Sequence, residues 1–125
     1  IDNLKFDLRI YVLILGTEPL RLYVLQEGIA RFATEEYVGP TKGNLDNLFM
    51  HLTNYAIQKK SDAFVHNEDE DDDSGHKRSL SSIFEYFTEN EPGFCKDKMM
   101  RQIEDIAVKT VISAQPALSH AFRSN

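Results

Sequence analysis

The chain has a single cysteine, no long apolar run and no excess of positive charge. Cys95 cannot form an internal disulfide, which suggests a reducing compartment. No apolar segment approaches the roughly 18 residues that a transmembrane helix needs, and the first residues lack the basic and apolar segments of a signal peptide. A soluble intracellular protein is therefore the expectation.

The net charge of −6 disfavours generic nucleic-acid binding, which normally requires a basic patch. Six acidic residues stand together at 68–73, and without them the remaining charge is near neutral. We expect residues 61–78, which contain this run, to form a solvated, disordered insertion. Contiguous carboxylates lack the alternating, glycine-containing spacing of a hard-cation loop, so no metal site is predicted in this chain.

The length of 125 residues fits one small domain, and a hydrophobic content of 42% is enough for one core. The sequence starts at Ile1 rather than at a methionine and stops at Asn125 without an evident ending. We interpret it as a piece of a longer protein.

Charged and apolar residues alternate in the first predicted strand, Leu4 to Leu15. Because successive side chains of a strand point to opposite faces, Lys5, Asp7 and Arg9 share one face and their apolar neighbours share the other. From this pattern alone, a solvated face with weakly paired charges is the simpler interpretation. The functional interpretation is that the cations neutralise phosphate or carboxylate oxygens while Asp7 orients a cation or a sugar hydroxyl.

Two further strands are predicted at 20–26 and 29–34, with turns at 16–19 and 27–28 that contain Gly and Pro. Such short connections predict an antiparallel meander. Arg31 lies between two apolar residues of the third strand and is expected to share a face with the charged row.

Two helices follow in the second half of the sequence. Ser79 is a candidate N-cap for a helix that begins at Leu80 and ends near Asn90. A longer helix is predicted from about Asp97 to Ala114, where the following Gln115-Pro116 stops or kinks it. A sheet with packed helices, the α+β class, is the simplest architecture.

The segment 51–54, His-Leu-Thr-Asn, also has two interpretations. It forms a turn in which Thr53 or Asn54 binds its own backbone, or it supplies donors and acceptors around a nucleotide. The segment by itself favours the turn.

Four segments resemble the tubulin tyrosine ligase-like family in residue type, order and spacing. They are KFDLR at 5–9, EGIARFA at 27–33, HLTNY at 51–55 and VKTVIS at 108–113. They are distributed over nearly the whole chain, from residue 5 to residue 113, and they look most like the glutamylating branch of the family.

This resemblance implies a partial ATP-grasp fold, incomplete at both ends, in which ATP lies between two α+β lobes. Arg9 and Arg31 match arginines that hold substrate carboxylates. The positions that match nucleotide contacts are Lys5, Asp7, His51, Leu52, Thr53 and Asn54. The magnesium ligands and the remaining nucleotide-binding lysines are expected outside these 125 residues.

The implied activity is the ATP-dependent addition of glutamate to glutamate side chains of tubulin C-terminal tails, through an acyl phosphate. Free glutamate and microtubules are the expected partners, and neither nucleic acid nor a membrane is expected to bind. The expected location is the cytoplasm and cytoskeleton, with the cilium or basal body as further possible locations. The 125-residue chain alone is expected to be inactive. Glycylation, tyrosination and a catalytically dead microtubule-binding module stay open as alternatives.

Overall fold

The structure is a computed structural model that describes residues 1–66 and 75–123. Its strands and helices, in chain order, are β1 (Leu4–Thr17), β2 (Leu20–Glu36), α1 (Leu48–His51), α2 (Tyr55–Gln58), β3 (Lys77–Ser79), α3 (Leu80–Asn90) and α4 (Lys96–Arg123). The three strands form one sheet in the order β1-β2-β3. The predicted α+β class is therefore confirmed.

The predicted composition of the sheet is wrong in one respect. β2 continues through Glu27 and Gly28 to Glu36, so the turn expected at 27–28 does not form. Gly28 is buried inside the strand, where glycine allows neighbouring backbones to approach closely. The third strand is instead β3, which pairs antiparallel with β2 and places Lys77 opposite Arg31.

Part of the predicted insertion thus has a defined structure. The backbone N–H of Val65 donates to Nδ1 of His76 at 3.0 Å, and the His76 ring stacks on Phe64 with 5.4 Å between ring centroids. β3 follows directly. The acidic run at 68–73 lies outside the described residues, and its disorder stays a prediction.

The chain divides into two compact units. The first unit comprises Ile1–Arg9 and the described residues of 28–85, and the second comprises Ile10–Glu27 and the described residues from Tyr86 onward. The buried apolar residues of the first unit are Ala30, Phe32, Ala33, Leu80, Ile83 and Phe84. Removing such side chains from water is the main stabilising term for this unit.

The alternation of β1 and β2 explains which side chains form that core. Phe6 and Phe32 stack with 5.2 Å between ring centroids, while Asp7 and Arg31 meet on the other face. Successive side chains of a strand point to opposite faces. The apolar residues next to Asp7 and Arg31 in the sequence therefore lie on the core face, while the charged residues lie on the other. The separation of faces that the sequence predicts is confirmed here.

The start of helix α3 agrees with its predicted cap. Oγ of Ser79 accepts a hydrogen bond from the backbone N–H of Ser82 at 3.1 Å, which satisfies a donor at the start of the helix. The helix ends at Asn90, and Gly93 follows with a φ of +90°, a conformation that favours glycine.

Of the two predicted effects of Gln115-Pro116, a stop or a kink, the stop is wrong, because α4 continues through Pro116 to Arg123. Proline removes one backbone donor and disfavours helical geometry in the preceding residue, but neither effect forbids a helix. Within the second unit, Nε2 of Gln115 donates to the carbonyl oxygen of Thr17 at 2.7 Å, which helps to hold the residue before the proline in place. Over the two ranges that the structure describes, no helix is long and apolar enough to cross a membrane.

Candidate functional site

The charged row of the first unit contains an ion pair between strands β1 and β2. Nε of Arg31 donates to Oδ1 of Asp7 at 3.0 Å, and Nη2 of Arg31 donates to Oδ2 of the same carboxylate. The side chain of Arg31 is 30% exposed and that of Asp7 is 41% exposed. Solvent screening therefore limits the contribution of this pair to stability to about 1 kcal/mol or less. Its clearer consequence is orientation, because a two-pronged contact fixes the plane of the guanidinium.

Lys5 connects the start of β1 to the end of α1. Its Nζ donates to the carbonyl oxygen of His51 at 2.6 Å. Nε2 of His51 lies 2.9 Å from the carbonyl oxygen of Asn44, and the His51 ring meets the ring of Tyr37 edge-on. The structure therefore brings together the two predicted nucleotide-contacting segments, residues 5–7 and 51–54.

The residues after His51 link α1 to α2. Oδ1 of Asn54 accepts from the backbone N–H of Ala56 at 2.9 Å, so Asn54 is the N-cap of α2. This contact is the local backbone bond that the turn interpretation predicts. Leu52 is exposed, and its carbonyl oxygen accepts from Nε2 of Gln58.

Gln58 is a buried polar residue that the sequence did not point to. Its Oε1 accepts from the backbone N–H of Thr34 at 2.9 Å and from Oγ1 of Thr34 at 2.7 Å. With the contact to Leu52, one side chain joins the end of β2 to the 51–54 segment. No pattern in Tyr55-Ala56-Ile57-Gln58 marks this role, because it depends on which backbone groups the fold leaves without partners.

A pocket of about 290 Å³ opens in the first unit, near the lower end of the range for small-molecule sites. It is lined by Arg9, Ile29, Arg31, Phe32, Thr53, Tyr55, Gln58, Phe64, His76 and Lys77. Arg9, Arg31 and Thr53 are the predicted site residues that line it. The other predicted residues, which do not line it, are Lys5, Asp7, His51, Leu52 and Asn54.

The pocket lining is electropositive. Arg9, Arg31 and Lys77 contribute cations, and none of the lining residues that the structure describes is Asp or Glu. Burial lowers the pKa of His76 below its usual value of 6.5; the hydrogen bond with the backbone of Val65 opposes this shift, and the nearby charge of Arg78 adds to it. His76 is accordingly neutral near pH 7, with an unprotonated Nδ1 that accepts from Val65.

Sequence reasoning missed His76 and Lys77 as site residues because they lie in the predicted insertion. The only available signal was the basic pair at 77–78, directly after the acidic run. Across 1–66 and 75–123, no group of three or more His, Cys, Asp or Glu side chains is placed to hold a metal ion.

These features define an α+β protein with a candidate site for small anions. The tubulin-tyrosine ligase family model matches residues 1–125, and the chain belongs to that family. The resemblance seen in the four sequence segments is thereby confirmed.

Individual relatives agree with this assignment. A Tetrahymena thermophila protein named "Probable beta-tubulin polyglutamylase" is 46% identical over 125 residues, which cover 99% of this chain and 10% of that protein. Tubulin polyglutamylase TTLL6 of Mus musculus is 46% identical over 124 residues, 99% of this chain and 14% of that protein. Tubulin polyglutamylase TTLL7 of Mus musculus is 39% identical over 122 residues, which cover 98% of this chain and 13% of that protein. The chain thus spans roughly a tenth to a seventh of the length of these relatives.

Proposed function

We propose that the protein containing this chain is an ATP-dependent ligase that adds glutamate to glutamate side chains of tubulin C-terminal tails. Family membership and the names of the relatives support a tubulin-modifying ligase of the polyglutamylase type. The proposal extends to an ATP-grasp fold for the complete catalytic domain, of which this α+β portion forms the central part.

The observation that carries the proposal is the convergence of Arg9 and Arg31 on one pocket. A guanidinium presents two parallel donors that match the two oxygens of a carboxylate. Both the incoming glutamate and the acceptor glutamate carry carboxylates. Nε and Nη2 of Arg31 bind Asp7, and this contact fixes the plane of the guanidinium before a substrate arrives.

The residues near Lys5 suit a nucleotide. The contact between Lys5 and the backbone of His51 joins the two segments that the family resemblance assigns to ATP, and Thr53 of the second segment also lines the pocket. We propose that Lys5, Asp7 and the 51–54 segment hold ATP. ATP bound there would transfer its terminal phosphoryl group to the acceptor carboxylate and leave as ADP, and the glutamate amine would then displace phosphate from this acyl phosphate to form the amide bond.

The chain's own contribution to this chemistry is electrostatic and positional. Fixed cations near developing negative charge lower the barrier because they need no reorganisation during the reaction. Arg9 and Arg31 provide such charges. Magnesium is part of the proposal, with ligands supplied from outside these 125 residues, and the isolated chain is proposed to be inactive for that reason.

The test is ATP-dependent incorporation of radiolabelled glutamate into microtubules by the full-length protein. Arg31→Ala is expected to reduce incorporation by at least about 100-fold, since it removes a fixed donor from the site. Arg101→Ala, an exposed position on α4, serves as the matched control and is expected to retain activity.

Labelled glycine and tyrosine distinguish the alternatives. Incorporation of either one in place of glutamate would identify a glycylase or a tyrosine ligase. Microtubule binding without incorporation of any amino acid would identify a catalytically dead binding module. We also expect the tagged protein to colocalise with cytoplasmic microtubules, and imaging of ciliated cells tests the cilium and basal body as further locations.

A further inference from the structure

His76 lines the candidate pocket, and its position is fixed by two residues that line the same pocket, Phe32 and Phe64. The His76 ring stacks on the Phe64 ring with 5.4 Å between ring centroids and an interplanar angle of 26°. The backbone carbonyl of His76 accepts from the N–H of Phe32 at 2.9 Å, which joins the residue to β2. The imidazole is therefore a defined part of the pocket wall.

The contact between His76 and Val65 assigns the proton of the ring. The backbone N–H of Val65 donates to Nδ1 at 3.0 Å, so Nδ1 carries no proton. A neutral imidazole with an unprotonated Nδ1 carries its proton on Nε2, which is then a hydrogen-bond donor. Because burial holds the pKa of His76 below 6.5, this neutral form is the one present near pH 7.

Nε2 is the ring nitrogen that can bind a ligand. The Nδ1 end of the ring is turned to the backbone of Val65, and one ring face is covered by Phe64. Across residues 1–66 and 75–123, the hydrogen bond that the His76 side chain makes is the one to Val65. Since His76 borders the pocket, the Nε2–H is the polar group that its ring offers to a molecule bound there.

A carboxylate is the ligand group that suits this donor. Arg9 and Arg31 line the same pocket and are proposed above to hold substrate carboxylates. A carboxylate has two oxygens with about four acceptor positions, so a guanidinium fork leaves positions for another donor. A neutral N–H supplies such a bond without bringing a further positive charge to the pocket.

The geometry points to His76 as a substrate-binding residue, whose Nε2–H donates a hydrogen bond to a substrate carboxylate held in the pocket. This inference rests on the proposed ligase function and adds to it a binding group that directly precedes β3. Two sources supply the same chemistry, the donor glutamate and the acceptor side chain of the tubulin tail, and separate kinetic measurements distinguish them.

Two substitutions separate the roles of the two ring nitrogens. Asparagine places its amide oxygen near the position of Nδ1 and has no donor at the position of Nε2. His76→Asn is therefore expected to keep the Val65 contact and to lose the substrate contact. Glutamine places its amide NH₂ near the position of Nε2, so His76→Gln is expected to keep the substrate contact and to lose the contact to Val65.

Steady-state kinetics of the full-length protein on microtubules measure the effect. His76→Asn is expected to raise KM for glutamate or KM for microtubules about 10-fold, because a hydrogen bond to a charged oxygen is lost. The substrate whose KM rises carries the carboxylate. KM for ATP is expected to stay unchanged, and His76→Gln is expected to keep both other KM values close to those of the wild type.

His66→Asn is the matched control. The His66 ring also contacts the Phe64 ring, with 4.8 Å between centroids, but His66 is exposed and does not line the pocket. Its substitution is expected to leave all three KM values unchanged. Unchanged thermal unfolding of His76→Asn verifies that this variant is folded.

Three results would overturn the inference while glutamate incorporation by the wild type still upholds the ligase. The first is wild-type kinetics in His76→Asn. The second is an equal rise in KM in His76→Gln, because the Val65 contact rather than the Nε2 donor would then account for the effect. The third is a rise in KM for ATP, which would assign the donor to a phosphate oxygen. If the wild type incorporates no amino acid, the proposed function and this inference both fail.

Discussion

Both compact units of the chain expose several large apolar side chains, but they differ in how many apolar residues they bury. In the first unit, apolar side chains from β2 and α3 are buried and charged side chains gather on the other face of the strands. In the second unit, Met100 is the buried apolar residue among those described, and many large apolar side chains are exposed. These are Tyr11, Val12, Leu13, Leu15, Tyr23, Leu25, Tyr86, Ile106, Val108 and Ile112.

The difference shows how strands of similar composition acquire different roles. Burial of one strand face in the first unit frees the opposite face for charged residues, whose positions are fixed by cross-strand pairing. Exposed apolar side chains in such number are unusual for a surface that stays in water. We therefore expect stability and site geometry to depend far more on substitutions in the first unit than on matched substitutions in the second.

The largest expected difference concerns matched leucines. Leu80 is 0% exposed and Leu25 is 45% exposed. Leu80→Ala is expected to lower the free energy of unfolding by about 2–5 kcal/mol, because it removes buried methyl groups and leaves a cavity. Leu25→Ala is expected to lower it by less than about 1 kcal/mol.

Urea unfolding of the full-length protein measures both leucine variants, and hydrogen exchange of amides 29–34 assigns the change to the first unit. An equal decrease in the free energy of unfolding for Leu80→Ala and Leu25→Ala would show that stability does not depend more on the first unit than on the second.

A second pair of substitutions compares glutamines. Gln58→Leu leaves the backbone N–H of Thr34 and the carbonyl of Leu52 without their partner, and is expected to cost about 2–4 kcal/mol. Gln115→Leu removes one contact of a partly exposed residue to Thr17, and is expected to cost about 1 kcal/mol. The same urea titration ranks the two, and a larger loss for Gln115→Leu would contradict the comparison.

A smaller effect is expected at the helix serines. Ser79→Ala removes the cap contact to the Ser82 N–H and is expected to cost about 1 kcal/mol. Ser113→Ala changes an exposed serine inside α4, whose Oγ donates to the carbonyl of Thr110, and is expected to be near neutral because alanine favours helices. Thermal unfolding of both variants is the measurement, and the prediction fails if Ser79→Ala melts with the wild type.

The smallest effect is a pH dependence confined to the first unit. The pKa of His76 is lower in the folded protein than its usual value of 6.5, so the unfolded chain binds the proton more readily. The contribution of His76 to stability is therefore fully present above pH 6.5 and is lost as the pH falls toward the folded pKa. Urea unfolding at several pH values is expected to show that the stability of His76→Gln falls less than that of the wild type as the pH is lowered. If the two proteins lose stability equally, His76 is not the source of the pH dependence.

Local patterns predicted several features of the first unit from sequence alone. Alternation in β1 and β2 correctly separated Asp7 and Arg31 from Phe6 and Phe32, because strand geometry fixes side-chain direction at every second residue. The Ser79 cap was also correct, since it depends only on residues within one turn.

Other features depended on partners far away in the sequence. Residues 77 and 78 were predicted to belong to a polar insertion, and they form a strand with Ser79 because the Phe32 ring and Asp2 hold Arg78 against the sheet. Gln58 is buried because the end of β2 and the 51–54 segment both present backbone groups to it. Helix α4 continues past Pro116, although the proline predicted that the helix would end or kink there.

The sequence by itself determined the family, the α+β class and the faces of the charged strands, because residue type and short-range periodicity are sufficient for these. Only the tertiary structure decided that Arg9, Arg31 and Lys77 share one pocket and that Gln58 supports it. The physical reason is that convergence of side chains from β1, β2 and β3 requires long-range pairing, and the register of that pairing is set by the packed core rather than by any local pattern.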